Sequence, residues 1–291
     1  MTPAEPAVSL LLKNVLLATD LAETSSEKAL KYAQGLAQRL GSRLHAIHVS
    51  GSDSYQLLEP EALAVTFHEL RDASQHPTDV LKSLFQGLPT QISLRNGGIW
   101  EVINDVVART EIDLLVLGTH GRTGIPKLIQ GSVAEQVFRN VSCPVLTVGP
   151  DAKVSGNGPH NIERVLLATD LAPNAASHFY AGWFSKEFQA KMTVMRVMSD
   201  TGMGRRQQLV PELKQVISGE LNLAAEPECR IEYGPAAPCI LEVARAWPAD
   251  LIVLGARHPK SSEVNTRSPW AVASRVIAEA ECPVLTVRQP E

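Results

Sequence analysis

No two of the four cysteines, Cys143, Cys229, Cys239 and Cys282, stand in C-x-x-C spacing, and no cysteine–histidine cluster is spaced for zinc. That removes zinc modules and dithiol redox motifs. The four read instead as small buried hydrophobes in a reducing compartment. Blocks of like charge are also missing, and the formal net charge is only -4. Binding of nucleic acid by bulk electrostatics is thereby excluded. Met1 to Ser9 contains Glu5 and neither Lys nor Arg, so it lacks the basic start of a secretory leader, and Lys13 breaks the apolar run that follows. No apolar stretch reaches the roughly 20 residues of a membrane span. A cytoplasmic location without a membrane partner is expected. Neither G-x-x-x-x-G-K-[ST] nor a G-x-G-x-x-G after the first strand occurs, which excludes the two commonest nucleotide loops. What remains is an ordinary composition, 44% hydrophobic and 20% charged, on a chain of 291 residues, long enough for two domains.

The chain is a duplication. Val15 to Ala22 recurs letter for letter as Val165 to Ala172. Asp113-Leu-Leu-Val-Leu-Gly118 recurs as Asp250-Leu-Ile-Val-Leu-Gly255, and Cys143-Pro-Val-Leu-Thr-Val148 as Cys282 to Val287. The offsets, 150, 137 and 139 residues, are close but unequal. Two domains that have since gained and lost loop residues explain this, whereas a solenoid would repeat every few tens of residues.

In the first copy, continuous apolar runs predict strands at Lys13 to Thr19, Arg43 to Val49, Thr90 to Arg95, Leu114 to Leu117 and Val145 to Val148. A helix at Glu27 to Leu40 carries Ala29, Leu30, Ala33, Leu36, Ala37 and Leu40 on one stripe, and Gly41 is placed to end it. Pro60 to Gly87 reads as mostly helical and Ile99 to Arg109 as helix. The second copy predicts strands at Arg164 to Thr169, Lys191 to Val197, Glu228 to Tyr233, Leu251 to Leu254 and Val284 to Val287. Its helices fall at Asn174 to Phe188, Gln207 to Leu223 and Pro238 to Trp247. Strands alternating with helices imply parallel β-α-β units. The fold class is therefore α/β: two tandem, doubly wound, five-stranded parallel-sheet domains of Rossmann-like type, residues 1–150 and 160–291, joined by a Gly-, Pro- and Ser-containing linker. Ligands of such sheets lie beyond the carboxyl ends of the strands, where the strand order reverses. If the first and fourth strands are neighbours, Asp20 and the loop after Leu117 share one crevice.

That loop has the spacing Gly118-x-x-Gly121-x9-Gly131-Ser132. Glycines let backbone N–H groups approach an anion, and the helix opening near Ser132 adds unpaired donors. The bland alternative is a surface loop with Ser132 as an ordinary helix cap. Asp20 likewise reads either as a ligand contact or as a helix-entry cap. Arg122 and Lys127 could neutralise phosphates, and His120 has no nucleophile or orienting acid near it in sequence.

Asp113 to Val148 resembles the C-terminal signature of universal stress proteins, in which G-x-x-G-x9-G-[ST] marks the ATP-binding members. The resemblance extends over the whole chain as two copies. It implies an adenine nucleotide alpha hydrolase-like fold with ATP along the strand ends. A Mg²⁺ could ride in with the ATP, held by phosphates and water. Position by position, Gly118, Gly121, Gly131, Ser132 and Val133 would hold phosphates and ribose. Ala18, Thr19 and Asp20 stand where the family's first-strand motif contacts the nucleoside, with Ala18 replacing a common proline. Val49 matches the residue whose backbone faces adenine. The resemblance also implies that the last strands, Pro144 to Val148 and Pro283 to Val287, pair edge to edge.

The second copy departs from this pattern. His258 stands at the position of Gly121, and Trp270, twelve residues before Cys282, stands at that of Gly131, twelve before Cys143. A Trp blocks a close-approach site, and Pro259 and Pro269 each lack an amide donor. The expected function is an ATP-binding stress-response regulator working through its first domain, with an unknown protein partner and no nucleic acid; a homodimer of the whole chain is compatible with it. The alternatives are a slow ATPase or nucleotidyl-transfer enzyme and a nucleotide-free interaction scaffold.

Overall fold

The structure is a computed structural model that describes residues 12–19, 25–50, 85, 90–118, 137, 141–153, 161–171, 175–198, 206–221, 225–256 and 269–288. The first half runs β1 (Asn14–Ala18), α1 (Ser25–Leu40), β2 (Arg43–Ser50), β3 (Thr90–Asn96), α2 (Ile99–Arg109), β4 (Leu114–Gly118) and β5 (Val145–Val148). The second runs β6 (Arg164–Ala168), α3 (Ala176–Phe188), β7 (Lys191–Met198), α4 (Arg206–Glu220), β8 (Glu228–Tyr233), α5 (Ala236–Ala246), β9 (Leu251–Ala256), α6 (Pro269–Glu279) and β10 (Val284–Arg288). The helix expected at Pro60 to Gly87 and the helix start at Ser132 lie outside the described residues, apart from the buried Phe85 and Val137.

Each half has the order of a doubly wound sheet, and the two fuse into one sheet of ten strands, β3-β2-β1-β4-β5-β10-β9-β6-β7-β8. Every neighbouring pair is parallel except β5–β10, which is antiparallel. At that junction Val284 opposes Thr147, Leu285 opposes Leu146 and Thr286 opposes Val145. Thr147 Oγ1 donates to the Val284 carbonyl at 3.0 Å. The pairing removes one exposed edge from each half, where unpaired amides would otherwise invite association.

The strand sequences follow from burial on both faces. Val15, Leu16 and Leu17 are all 0% exposed, as are Leu114, Leu115 and Val116, so no polar alternation survives. Val15 and Leu17 face a core that also takes in α1, α3, Leu146 and Leu285 and therefore crosses the junction without a break. Leu16, with Ile103 and Val107 of α2, belongs to a separate core on the opposite face. The second half has its own core there, beneath α5 and α6. One face of the sheet is thus fused and the other divided.

Local closures are duplicated too. Gly41 ends α1 at φ 66°, and the Ser42 amide returns to the Ala37 carbonyl at 2.9 Å, the Schellman bond. Gln189 ends α3 at φ 53°, with the Ala190 amide on the Ser185 carbonyl at 2.8 Å. The second half thus makes the same left-handed turn without glycine. At the amino ends of the strands, Asp113 Oδ2 accepts from the amides of Lys13 (2.8 Å) and Asn14 (2.9 Å). Asp250 Oδ2 accepts from Glu163 (3.0 Å) and Arg164 (2.9 Å). Each aspartate clamps the start of the first strand of its half to the fourth.

The first helix of each half sends a tyrosine to the other half. The Tyr32 hydroxyl donates to the Lys153 carbonyl at 2.9 Å and lies near Cys282 and Asp250, while Tyr180 lies near Cys143 and Asp113. Burial, with those neighbours, pushes the Tyr180 phenol up to about 12 and the Tyr32 phenol higher still. Burial also pushes the thiols of Cys143 and Cys282 up to about 12. All four cysteines are free, but only these two are fully buried; Cys229 and Cys239 are half-buried. The expectation of four buried thiols is corrected there: Cys229 lies on the sheet's outermost strand and Cys239 in the first turn of α5.

Candidate functional site

The chain of the first half builds outward from β1 to β3 and then returns to add β4 and β5 on the other side. The switch point is therefore between β1 and β4, which are hydrogen-bonded neighbours with Ala18 opposite Leu117. The condition for a shared crevice is met: Thr19 and Gly118, the last described residues of the two strand ends, are at adjacent positions on the sheet's rim. Val49, near the end of β2, stands on the other side of β1. Adjacent strands lie about 4.8 Å apart, so Val49, Thr19 and Gly118 span roughly 10 Å of the sheet's rim.

The main chain of Val49 points into this rim for a geometric reason. The Thr19 amide donates to the Ile47 carbonyl at 3.0 Å, so the odd residues of β2 turn their polar groups toward β1. Two residues on, Val49 turns the same way, but strand β1 has ended at Ala18. His48 adds a contact that local sequence gave no sign of: its Nδ1–H donates to the Thr19 carbonyl at 2.9 Å. It ties β2 to the point where the chain leaves the sheet. Asp20, Gly121, Arg122, Gly131, Ser132 and Val133 lie outside the described residues. Ala18, Thr19, Val49 and Gly118 are brought to one edge of the fold.

The second half keeps the frame, with the Thr169 amide on the Met195 carbonyl at 3.0 Å and Ala168 opposite Leu254. Its side chains are used differently. Thr169 Oγ1 lies 2.6 Å from Nε2 of the buried His178 and accepts the Leu171 amide at 2.9 Å. Leu171 is held at φ 63°, a costly value for a residue with a branched side chain. The hydroxyl that follows β6 is thus engaged in closing its own turn. Trp270, the sequence counterpart of Gly131, is half-buried in the first turn of α6.

Among the described residues no group of three His, Cys, Asp or Glu side chains could hold a metal ion. No helix among them is long and apolar enough to cross a membrane.

The universal stress protein family model matches this chain twice, at residues 12–149 and 161–288. The chain belongs to the universal stress protein family. A universal stress protein of Methanocaldococcus jannaschii is 30% identical over 141 residues, 47% of this chain and 82% of that one. Among solved structures, a universal stress protein from Archaeoglobus fulgidus DSM 4304 superposes with a TM-score of 0.70 at 20% identity, covering 97% of this chain and 98% of that one. A protein of unknown function from Pseudomonas aeruginosa PAO1 gives a TM-score of 0.64 at 17% identity, with 96% and 94% covered. At these identities the structural likeness is one of fold. It spans nearly the whole length of each chain, so the fold is shared across both halves of the tandem.

Proposed function

We infer that this universal stress protein binds ATP through its first domain, residues 1–150, and acts as a nucleotide-dependent regulator of a stress response. The observation that carries the reading is the adjacency of β1 and β4 at the switch point. It brings Gly118 beside the strand end at Thr19, in the half whose sequence keeps Gly121, Gly131 and Ser132 after that strand. Backbone amides of such a loop suit a polyphosphate. The outward-turned main chain of Val49 suits the edge of a flat base, which needs one donor and one acceptor. Mg²⁺ would be held by the phosphates and water, since the described residues offer no carboxylate cluster. The second domain, residues 160–291, keeps the frame but commits Thr169 to its own turn and carries Trp270 where the first carries Gly131. Its role is packing against the first domain and recognition of a partner.

Denaturing freshly purified protein and identifying the released small molecule tests this reading. Release of an adenine nucleotide supports it. Its absence, together with no rise in melting temperature at millimolar ATP, would contradict it.

A further inference from the structure

Residues 149–153, which lead from the first half toward the second, are pinned on both sides. β5 ends at Val148, opposite Gly118 of β4, so this strap leaves the sheet on the rim of the crevice. The Ala152 amide donates to the Gly149 carbonyl at 3.2 Å, and Ala152 is 0% exposed. On the side of the second half, the Lys153 amide donates to the Glu281 carbonyl at 3.0 Å, and the Lys153 ammonium pairs with the Glu281 carboxylate at 2.8 Å. On the side of the first half, both anchors come from α1. Lys28 Nζ donates to the Pro150 carbonyl, and the Tyr32 hydroxyl donates to the Lys153 carbonyl at 2.9 Å.

The duplication separates the two anchors. Counted from the left-handed residues Gly41 and Gln189 at the helix ends, Tyr32 corresponds to Tyr180 and Lys28 to Ala176. The tyrosine belongs to both halves. The lysine belongs to the first alone, the half that keeps Gly121, Gly131 and Ser132. Lys28 is half-buried in the first turn of α1, and only residues 20–24 of the chain separate that helix from Thr19 on the rim.

The Pro150 carbonyl is within about 12 Å of Gly118, one strand spacing plus two residues of extended chain. Phosphates seated at Gly118 would therefore act on the Lys28 ammonium over roughly one screening length. A phosphate carries full negative charge and attracts an ammonium more strongly than an uncharged carbonyl does. The ammonium thus has a better partner when the crevice is filled, which is the differential interaction a ligand needs to shift an equilibrium.

Resting on the reading that the first half binds ATP, we propose that Lys28 is a switch between the nucleotide and the strap. With the crevice empty, its ammonium holds the Pro150 carbonyl. With ATP bound, it turns to the phosphates, and residues 149–153 loosen from α1 while Glu281 still holds their far end. The nucleotide state of the first half is thereby displayed on the segment that leads into the second.

Hydrogen exchange of the Ala152 and Lys153 amides in the whole chain tests this, with ATP binding measured by calorimetry under the same conditions. Saturating ATP·Mg²⁺ is expected to speed their exchange about fivefold or more, the effect of losing one net hydrogen bond. Adenosine, which lacks the phosphates, should leave exchange unchanged. In Lys28→Met, exchange should be fast without nucleotide and should not respond to ATP. Tyr32→Phe removes the other anchor and should raise the starting rate yet keep the response. ATP that binds without changing exchange, adenosine that loosens the strap as ATP does, or a Lys28→Met variant that responds like the parent would overturn the switch and leave the ATP reading standing. No binding at millimolar ATP would overturn both.

Discussion

Leu146 and Leu285 occupy the same position in the two copies and lie directly opposite each other across the β5–β10 pair, at 1% and 0% exposure. A duplicated residue facing its own duplicate marks a local two-fold axis. Around it Val284 meets Thr147 and Thr286 meets Val145, each pair the mirror of the other. The symmetry is incomplete where polar groups must be satisfied: Thr147 Oγ1 has the Val284 carbonyl, while the buried Thr286 Oγ1 has no partner among the described residues.

Because both leucines belong to one core that spans the junction, the two halves should unfold together. Leu285→Ala is expected to cost about 2–5 kcal/mol and to lower a single calorimetric transition. Two resolved transitions in the parent protein, or loss of only the second half in the variant, would count against a shared core.

The imidazole of His45 is held below its ordinary value of 6.5, first by burial and then by the Arg43 charge, partly opposed by a hydrogen bond to Gln91. The folded state therefore binds this proton less readily than the unfolded chain. Stability from this group is full above pH 6.5 and is lost as pH falls through the folded value. Denaturant midpoints measured from pH 8 downward should fall less steeply below 6.5 in His45→Gln than in the parent. An unchanged slope would mean that His45 does not titrate on unfolding.

Gln189 holds a left-handed conformation that Gly41 takes in the first half. Gln189→Gly should relieve the clash of its Cβ with the backbone, offset in part by the greater freedom of the unfolded chain, for a net gain of about 0.5–1 kcal/mol. Chemical denaturation reads this directly. A loss of stability would show that the Gln189 side chain contributes more than its backbone costs.

Thiols of Cys143 and Cys282, pushed up to about 12 by burial, should resist alkylation in the native protein at pH 8. Cys229 and Cys239, also raised by burial but half-exposed, should react first. Mass spectrometry of partially labelled protein would give the order, and early labelling of Cys143 would contradict the packing of β5.

Strands and helices were legible because their signals are local. Ile99–Arg109, Val145–Val148 and Glu228–Tyr233 match their expected spans, and most other boundaries differ by one to three residues. The apolar runs of β1 and β4 announced strands covered on both faces, and that in turn announced a parallel sheet. The contacts that order those strands left no such trace. Asp113 reaches Lys13 across 100 residues, and Tyr32 reaches Lys153 across 121. His48 meets Thr19 only because β2 lies beside β1. No periodicity reports a pairing of that range. Comparison of the two copies recovers part of it, since Asp113 and Asp250 recur at matching positions and make matching bonds. The β5–β10 pairing was implied by family resemblance and not by residue pattern, because an edge strand and a central strand of this composition look alike.

The central claim is that one half of the duplicated chain, and not the other, takes the nucleotide. Calorimetric titration with ATP·Mg²⁺ of the nucleotide-stripped protein, alongside Gly131→Trp and Trp270→Gly, measures it most directly. The expected result is one nucleotide per chain in the parent and in Trp270→Gly, and none in Gly131→Trp. Two nucleotides per chain, or binding that survives Gly131→Trp, would contradict the account.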